Sequence, residues 1–324
     1  MKLAVDAGHG FVKAVTSDGR REHFPALIAP VPVEHDLGGF GHDGTVRAAI
    51  REGLIGEERV YLIGAAAARH AAPAWARDKA ADKTTQVLVQ VAAAMLLSPD
   101  GEPAELAVGL PLAWFGQKES LRGALSRKVS RVQFRGGEHE GKLVAVSFER
   151  VRVFPQGVGA AAHCFVGRDW EPGGYLVVDV GYRTVDYLVV DIRPGGALAA
   201  DPELAGTVED AGIHEVDLGV EKLVQRDHAV QLDAAELLQG QVYVNGNAVN
   251  LQSYREPLLR QLADTVASHV LSKLRGRASK LRGVVLVGGG GVELSAWFGL
   301  EGLPVRVAPD AQFANALGYL KLME

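Results

Sequence analysis

The chain has 324 residues, more than one ordinary hydrophobic core supports, so two domains are expected. It is 48% apolar and 23% charged, an ordinary globular balance, and its net charge of -5 excludes the electrostatic footprint of direct nucleic-acid binding. The single cysteine, Cys164, excludes an internal disulfide and offers no thiolate metal cage. The opening "MKLAVDAGHG" lacks the apolar region of a signal peptide, and the run around "VAAAMLL" is too short to span a bilayer. A soluble, cytoplasmic protein without a membrane partner is expected.

In chain order, "KLAVDAG" and "FVKAVTS" predict two strands, and "DGR" predicts a turn into "REHFPALIAPV". Residues 34–48, rich in glycine and polar groups, predict a loop. "RVYLIGAAAARHA" reads as a strand running into small residues. "KTTQVLVQVAAAMLL" has helical spacing and stops at "SPDGEP". "AELAVGLP" is a short strand, "GQKESLRGALSRKV" a polar helix, and "RVQFRGG" and "KLVAVSFERVRVF" are strands around the turn "GGEHEG". "PQGVGAAAHCF" starts a helix. The opening pattern then returns in "GGYLVVDVGYRTVDYLVVDI", followed by helical periodicity in 213–228 and 251–275. "LRGVVLVGGGG" is a buried strand ending in four glycines, and "AQFANALGYLKLME" a closing helix. Strands alternate with helices, which argues for α/β architecture.

One long-range repeat stands out: "LAVDAGHGFVKAV" against "LVVDVGYRTVDYLVV". Each is strand, Asp, any residue, Gly, a short gap, and strand. A hairpin needs glycine where φ is positive, but not an aspartate at the buried end of a strand. A buried carboxylate costs several kcal/mol unless it is paired or serves a metal. Two such hairpins therefore ask for a shared ligand, and a nucleotide with a divalent metal is one. Backbone N–H groups of Gly8, His9 and Gly10, and of Gly181, Tyr182, Arg183 and Thr184, can face phosphate oxygens. Lys13 can neutralise phosphate charge. Asp6 and Asp179 can hold the waters of Mg²⁺, which prefers oxygen and keeps much of its hydration shell. Gly288, Gly289, Gly290 and Gly291 would let backbone approach the α-phosphate and adenosine. Gln156, at a helix start, could orient a water against a γ-phosphate. An isolated Asp-x-Gly hairpin is more often only a turn, and a Gly run is as often close packing as a ligand site.

The ordered set, with Asp186 closing the second loop, resembles the actin-like ATPase superfamily over nearly the whole chain, closest to the ParM-type plasmid-segregation actins and archaeal actin relatives. "VDAGHGFVK" and "VVDVGYRTVDYLVV" look like the two phosphate loops and "VVLVGGGG" like the adenosine motif. "FPQGVGAAA" and "FANALGY" look like the two hinge helices. The resemblance implies two actin-like lobes, each a mixed β-sheet flanked by helices, with ATP or GTP and Mg²⁺ in the cleft. It implies 1–154 plus 309–324 as the first lobe and 155–308 as the second. It implies hydrolysis with Gln156, Asp179 and Asp6 as catalytic residues, self-assembly into filaments, and DNA reached only through an adaptor. Glu221, in "GVEKLV", is a weak pointer to the adenine, since such a charged helix face is ordinarily just solvated. The loops depart from their relatives at His9, Tyr182 and Arg183, where smaller or hydroxylated residues are frequent.

His9 could touch phosphate or simply face water. His214, Glu215 and Asp217 form "HEVD", but no second cluster supports a metal there. Cys164 reads as a buried space-filler, and Trp114 and Phe115 as core or a filament contact, with core the preferred reading. Three functions share this fold: a ParM-type filament ATPase, a sugar- or pantothenate-type kinase, and a non-catalytic actin-like scaffold. Fold alone does not choose among them. The kinase lacks a recognisable acceptor motif, and the scaffold would be expected to carry an amphipathic tail.

Overall fold

The computed structural model describes residues 1–30, 46–53, 56–70, 78–79, 81–99, 102–126, 129–274 and 276–324. The chain forms two compact units, one of residues 1–110, 114–154 and 323–324, the other of 111–113 and 155–322.

The first unit runs β1 (Lys2–Ala7), β2 (Phe11–Thr16), β3 (Arg21–Pro25), β4 (Ile28–Pro30), β5 (Arg47–Glu52), β6 (Glu58–Ile63), α1 (Lys83–Leu96), β7 (Ala104–Leu110), α2 (Lys118–Ser126), β8 (Val129–Phe134) and β9 (Leu143–Pro155). Among the described residues its sheet has nine strands in the order β3-β2-β1-β7-β9-β8-β5-β6-β4. β1 pairs antiparallel with β2 and parallel with β7, so it is central and buried almost throughout. Its apolar residues join those of α1 in the core, with Leu3, Val5, Val91, Leu106 and Leu110 at the centre. Asp82 caps α1, accepting from the N–H groups of Thr84 and Thr85 at 3.0 Å each. At the other end Lys142 donates to the Met95 carbonyl at 2.6 Å and Arg20 to that of Leu96, cations where the helix dipole favours them.

Two expectations change here. The loop expected over 34–48 lies largely outside the described residues, and its last two residues open β5, whose "RAAIRE" carries no strand alternation. The polar helix is shorter than 116–129: a 3-10 turn over Leu112–Gln117 precedes α2, and Val129 begins β8.

The second unit contains α3 (Val158–Phe165), β10 (Gly173–Val180), β11 (Val185–Ile192), β12 (Leu198–Val208), α4 (His214–His228), α5 (Ala234–Gln239), β13 (Gln241–Val244), β14 (Asn247–Asn250), α6 (Gln252–Lys273), β15 (Leu281–Val287), α7 (Gly288–Leu294), β16 (Val305–Val307) and α8 (Ala314–Leu322). Its main sheet runs β12-β11-β10-β15-β16. β10 pairs antiparallel with β11 and parallel with β15, which repeats the β3-β2-β1-β7 order of the first unit. β13 and β14 form a separate hairpin with Asn245 and Gly246 at φ 49° and 82°, a turn that Asn-Gly favours.

One apolar core lies among β10, β11, α4 and α6, and another among α3, β10, β11 and β15. The closing helix α8 was expected in the first lobe, but residues 309–322 fall in the second unit. The cause is its packing on α3. A Cβ on Gly318 would stand 1.7 Å from the Gly159 carbonyl oxygen, and one on Gly159 only 2.3 Å from the Tyr319 ring. Both glycines are needed for the two helices to touch at backbone distance.

Candidate functional site

In the first unit the β1–β2 hairpin places Asp6 directly opposite Lys13. Asp6 is only 4% exposed, and Lys13 Nζ stands 3.4 Å from its Oδ2. Gly8 fits where a side chain would not: a Cβ would lie 2.9 Å from the Phe11 carbonyl oxygen and 3.3 Å from Lys13 Nζ. His9 sets its ring edge-on to Trp114, centroids 5.6 Å apart, and the Gly10 carbonyl accepts from Ala26 N–H at 2.8 Å.

Sequence reasoning missed Lys79. This lysine, 3% exposed, donates from Nζ to the Ala7 carbonyl at 2.6 Å, between Asp6 and Gly8. It sits in the unremarkable run "ARDKAADK", so no pattern could have pointed to it. Lys13 and Lys79 each bring an ammonium to this hairpin, Lys13 to the Asp6 carboxylate and Lys79 to the Ala7 carbonyl, and ammonium groups at a glycine loop suit an anion.

In the second unit the β10–β11 hairpin sets Asp179 opposite Asp186. Asp179, 6% exposed, accepts at Oδ2 from Asn315 Nδ2 at 2.6 Å. Its Oδ1 lies against Gly288, where a Cβ would stand 2.5 Å away, and Gly288 has φ 79°. Two requirements thus meet at Gly288: left-handed backbone and room for the carboxylate. Gln156, buried, directly precedes the first turn of α3, and Gly157 N–H donates to Asn315 Oδ1 at 3.1 Å. The structure therefore brings Gln156–Gly157, Asp179 and Gly288 together around Asn315, a residue absent from the expected set.

The other candidates divide. Gly181 closes the loop through its N–H to the Thr184 carbonyl at 2.9 Å, and Thr184 is buried. The carbonyls of Gly181 and Tyr182 accept from the N–H groups of Ile213 and His214, fixing the loop to the start of α4. Tyr182 packs into the core, its phenol pushed above the ordinary tyrosine range by burial and then by Asp217. Arg183 pairs with Asp210 at 3.2 Å. Asp186 accepts from Leu112 N–H at 3.1 Å and from the Thr207 hydroxyl, so its carboxylate anchors residues 111–113. Gly290 is a packing glycine, its Cβ position 2.6 Å from Val180 Cγ1, while Gly289 faces Gln312 and Gly291 the backbone of Leu286. The four glycines do not form an open loop: they begin α7.

Glu221 is half-buried on α4 beyond Asp217, and its charge acts on Tyr182 and His214. His214 and Asp217 of "HEVD" join a polar cluster rather than a metal cage. His214 Nδ1 lies 3.4 Å from the Tyr182 hydroxyl, and Arg255 bridges Asp217 to Glu293 Oε2, the latter at 2.9 Å. Burial holds the His214 imidazole below its usual pKa. Cys164 is buried, its thiol pushed up to about 12 by desolvation.

Among the described residues no three His, Cys, Asp or Glu side chains converge as a metal cage. Asp6 and Asp179 are buried carboxylates, one in each unit, bonded to Lys13 and to Asn315. A single carboxylate of this kind fits Mg²⁺ only as an ion that keeps its waters and phosphate oxygens. No helix of the described residues is long and apolar enough to cross a membrane.

Residues 4–159 match the family model of the actin-like proteins' N-terminal domain, and residues 177–297 that of the archaeal, MreB-like actin homologue C-terminal domain. An archaeal actin homolog of Thermoplasma volcanium is 27% identical, the match covering 98% of this chain and 97% of the relative. Among solved structures, a 15-stranded ParM filament from Clostridium botulinum superposes with TM-score 0.83 at 20% identity, covering 99% of this chain and 98% of that one. An archaeal actin homolog in complex with ADP superposes with TM-score 0.75 at 22% identity, with the same coverage. Two sheets flanked by helices, the repeated Asp-x-Gly hairpins and both family models agree, and the chain belongs to the actin-like protein family.

Proposed function

We propose that this chain is a nucleotide-dependent, filament-forming ATPase of the ParM kind, using ATP, or GTP in its place, with Mg²⁺. The observation that carries this reading is the pair of equivalent hairpins, each ending in a buried aspartate: Asp6 beside Lys13, and Asp179 beside Asn315 and Gly288. Lys13 and the backbone N–H groups of Gly8 to Gly10 bind phosphate oxygens. Asp6 and Asp179 would hold Mg²⁺ through its waters, and Gln156 would orient the attacking water. The metal, when bound, neutralises charge on the phosphates. A solved archaeal neighbour holds ADP and a ParM neighbour is a filament, which supports nucleotide binding and self-assembly here. We assign the assembled form to DNA segregation in the cytoplasm through an adaptor protein, since the net charge of -5 does not favour direct DNA contact. The first lobe then comprises the first compact unit, and the second lobe includes α8.

Sedimentation and light scattering with and without ATP and Mg²⁺ test the reading. Polymer should form above a critical concentration with ATP or a non-hydrolysable analogue and weaken as hydrolysis proceeds. A chain that binds ATP yet keeps one small oligomeric state across a wide concentration range overturns assembly and favours a small-molecule kinase.

A further inference from the structure

We propose that Asn315 is a positioning residue that locks the Asp179 carboxylate to the turn carrying Gln156, so that these two groups keep one fixed geometry. The inference rests on the hydrolytic reading above, but its geometry lies wholly within the second unit.

Asn315 is buried on α8, and its amide is used at both ends. Nδ2 donates to Asp179 Oδ2 at 2.6 Å, while Oδ1 accepts from Gly157 N–H and Ala160 N–H at 3.1 Å each. Those two N–H groups belong to the first turn of α3, where helices leave donors without an intrahelical acceptor. A helix ordinarily supplies its own cap from a Ser, Thr, Asp or Asn at the capping position. Here that position is Gly157, with φ 79° and no side chain to offer. The cap comes instead from a residue 158 positions later, and the same amide holds the loop carboxylate. Only an amide of this size both donates and accepts in that arrangement. Asp has no donor when ionised, and an apolar residue would leave the α3 donors and Asp179 with less than they now have.

The close approach is built in. Gly318 lies one turn beyond Asn315, and with Gly159 it brings α8 against α3 at backbone distance, the Asn315 carbonyl 3.0 Å from the Gly159 Cβ position. A shift of α8 would therefore move Asp179 and the α3 N-terminus together. Small displacements of such groups are costly: about 1 Å of misplacement lowers a rate roughly 10²-fold.

Three variants test this: N315A, N315D and the D179N/N315D pair. In N315A, amide hydrogen exchange over residues 156–161 should accelerate. ATP hydrolysis should lose roughly 10²-fold in kcat while KM stays within about threefold, the split expected of misplaced groups rather than lost binding. N315D keeps an acceptor for α3 but sets two carboxylates face to face, so its melting temperature should fall. The D179N/N315D pair restores donor to acceptor with polarity reversed. Its melting temperature should recover beyond the sum of the single changes, with hydrolysis still lost because the carboxylate has moved. Melting shifts that simply add, or an N315A chain with unchanged exchange and wild-type kcat, overturn the coupling. A wild-type chain that does not hydrolyse ATP overturns the hydrolytic reading instead, and exchange and the melting cycle still decide the role of Asn315.

Discussion

The two hairpins share a sequence pattern and a topology, yet they are furnished with opposite chemistry. In each, a buried strand pairs antiparallel with the next and parallel with a later one, and an aspartate closes the first strand. The first hairpin carries two ammonium groups: Lys13 beside Asp6 and Gly8, and Lys79 on the Ala7 carbonyl. In the second, Asp179 meets the Asn315 amide and close backbone at Gly288, the start of α4 holds the loop carbonyls, and the loop's Arg183 pairs with Asp210. The same backbone frame thus carries different side chains in the two units. The cationic hairpin is suited to gripping anionic oxygens. The second is suited to holding one carboxylate at a fixed place beside Gln156.

That division breaks most sharply under charge removal. Asp179→Ala should cost at least about 10³-fold in ATP turnover while nucleotide affinity changes less than about tenfold. Lys13→Ala should show the reverse emphasis, with affinity for ATP falling about 10- to 100-fold and the rate at saturation less affected. Single-turnover kinetics alongside equilibrium binding separates the two outcomes. Equal losses of both kinds in both variants would erase the contrast.

Packing gives the next largest effect. Gly318→Ala drives a methyl group to 1.7 Å from the Gly159 carbonyl, backbone against backbone, and should destabilise by about 3 kcal/mol or more. Gly8→Ala meets Phe11 O at 2.9 Å and the movable end of Lys13 at 3.3 Å, and should cost about 1–2 kcal/mol. Denaturant unfolding of both variants measures the order.

The smallest effect is in acid. Burial lowers the imidazole pKa of His23 in the first unit and of His163 and His214 in the second. His163 bonds the Pro309 carbonyl through Nε2 at 2.9 Å, and its Nδ1 is buried without a partner, so a second proton there would be an unpaired charge. A folded pKa below the unfolded 6.5 means the stabilising contribution is complete above pH 6.5 and shrinks as pH falls through the window below it. Melting temperature should therefore decline below pH 6.5, and His163→Gln should flatten the decline. A wild-type curve that is level from pH 7.5 to 5 would contradict it.

Much of this frame was legible in residues 3–16 and 176–190, because a strand, an aspartate and a glycine turn are local signals that burial then confirms. The closing helix was legible too, through "FANALGY", but not its unit, which depends on how closely Gly159 and Gly318 let two distant helices approach. Asn315 and Lys79 could not be read because their partners are 136 and 72 positions away. Strands β5 and β12, the helix α5 and the Asn-Gly hairpin of β13 and β14 escaped because short, partly exposed segments carry little periodicity. The glycine run also carries packing that its spacing did not reveal. Gly288 and Gly290 are required by Asp179, Val180 and Ile213 around them, so half of the motif is packing.

The proposal that this chain binds a nucleotide through Lys13 is tested most directly by calorimetric titration of ATP with Mg²⁺ into the wild-type chain and into Lys13→Ala. The expected result is one ATP bound per chain, with affinity reduced by the substitution and a raised melting temperature in the wild-type complex. No binding at millimolar ATP, or an affinity unchanged by Lys13→Ala, would contradict it.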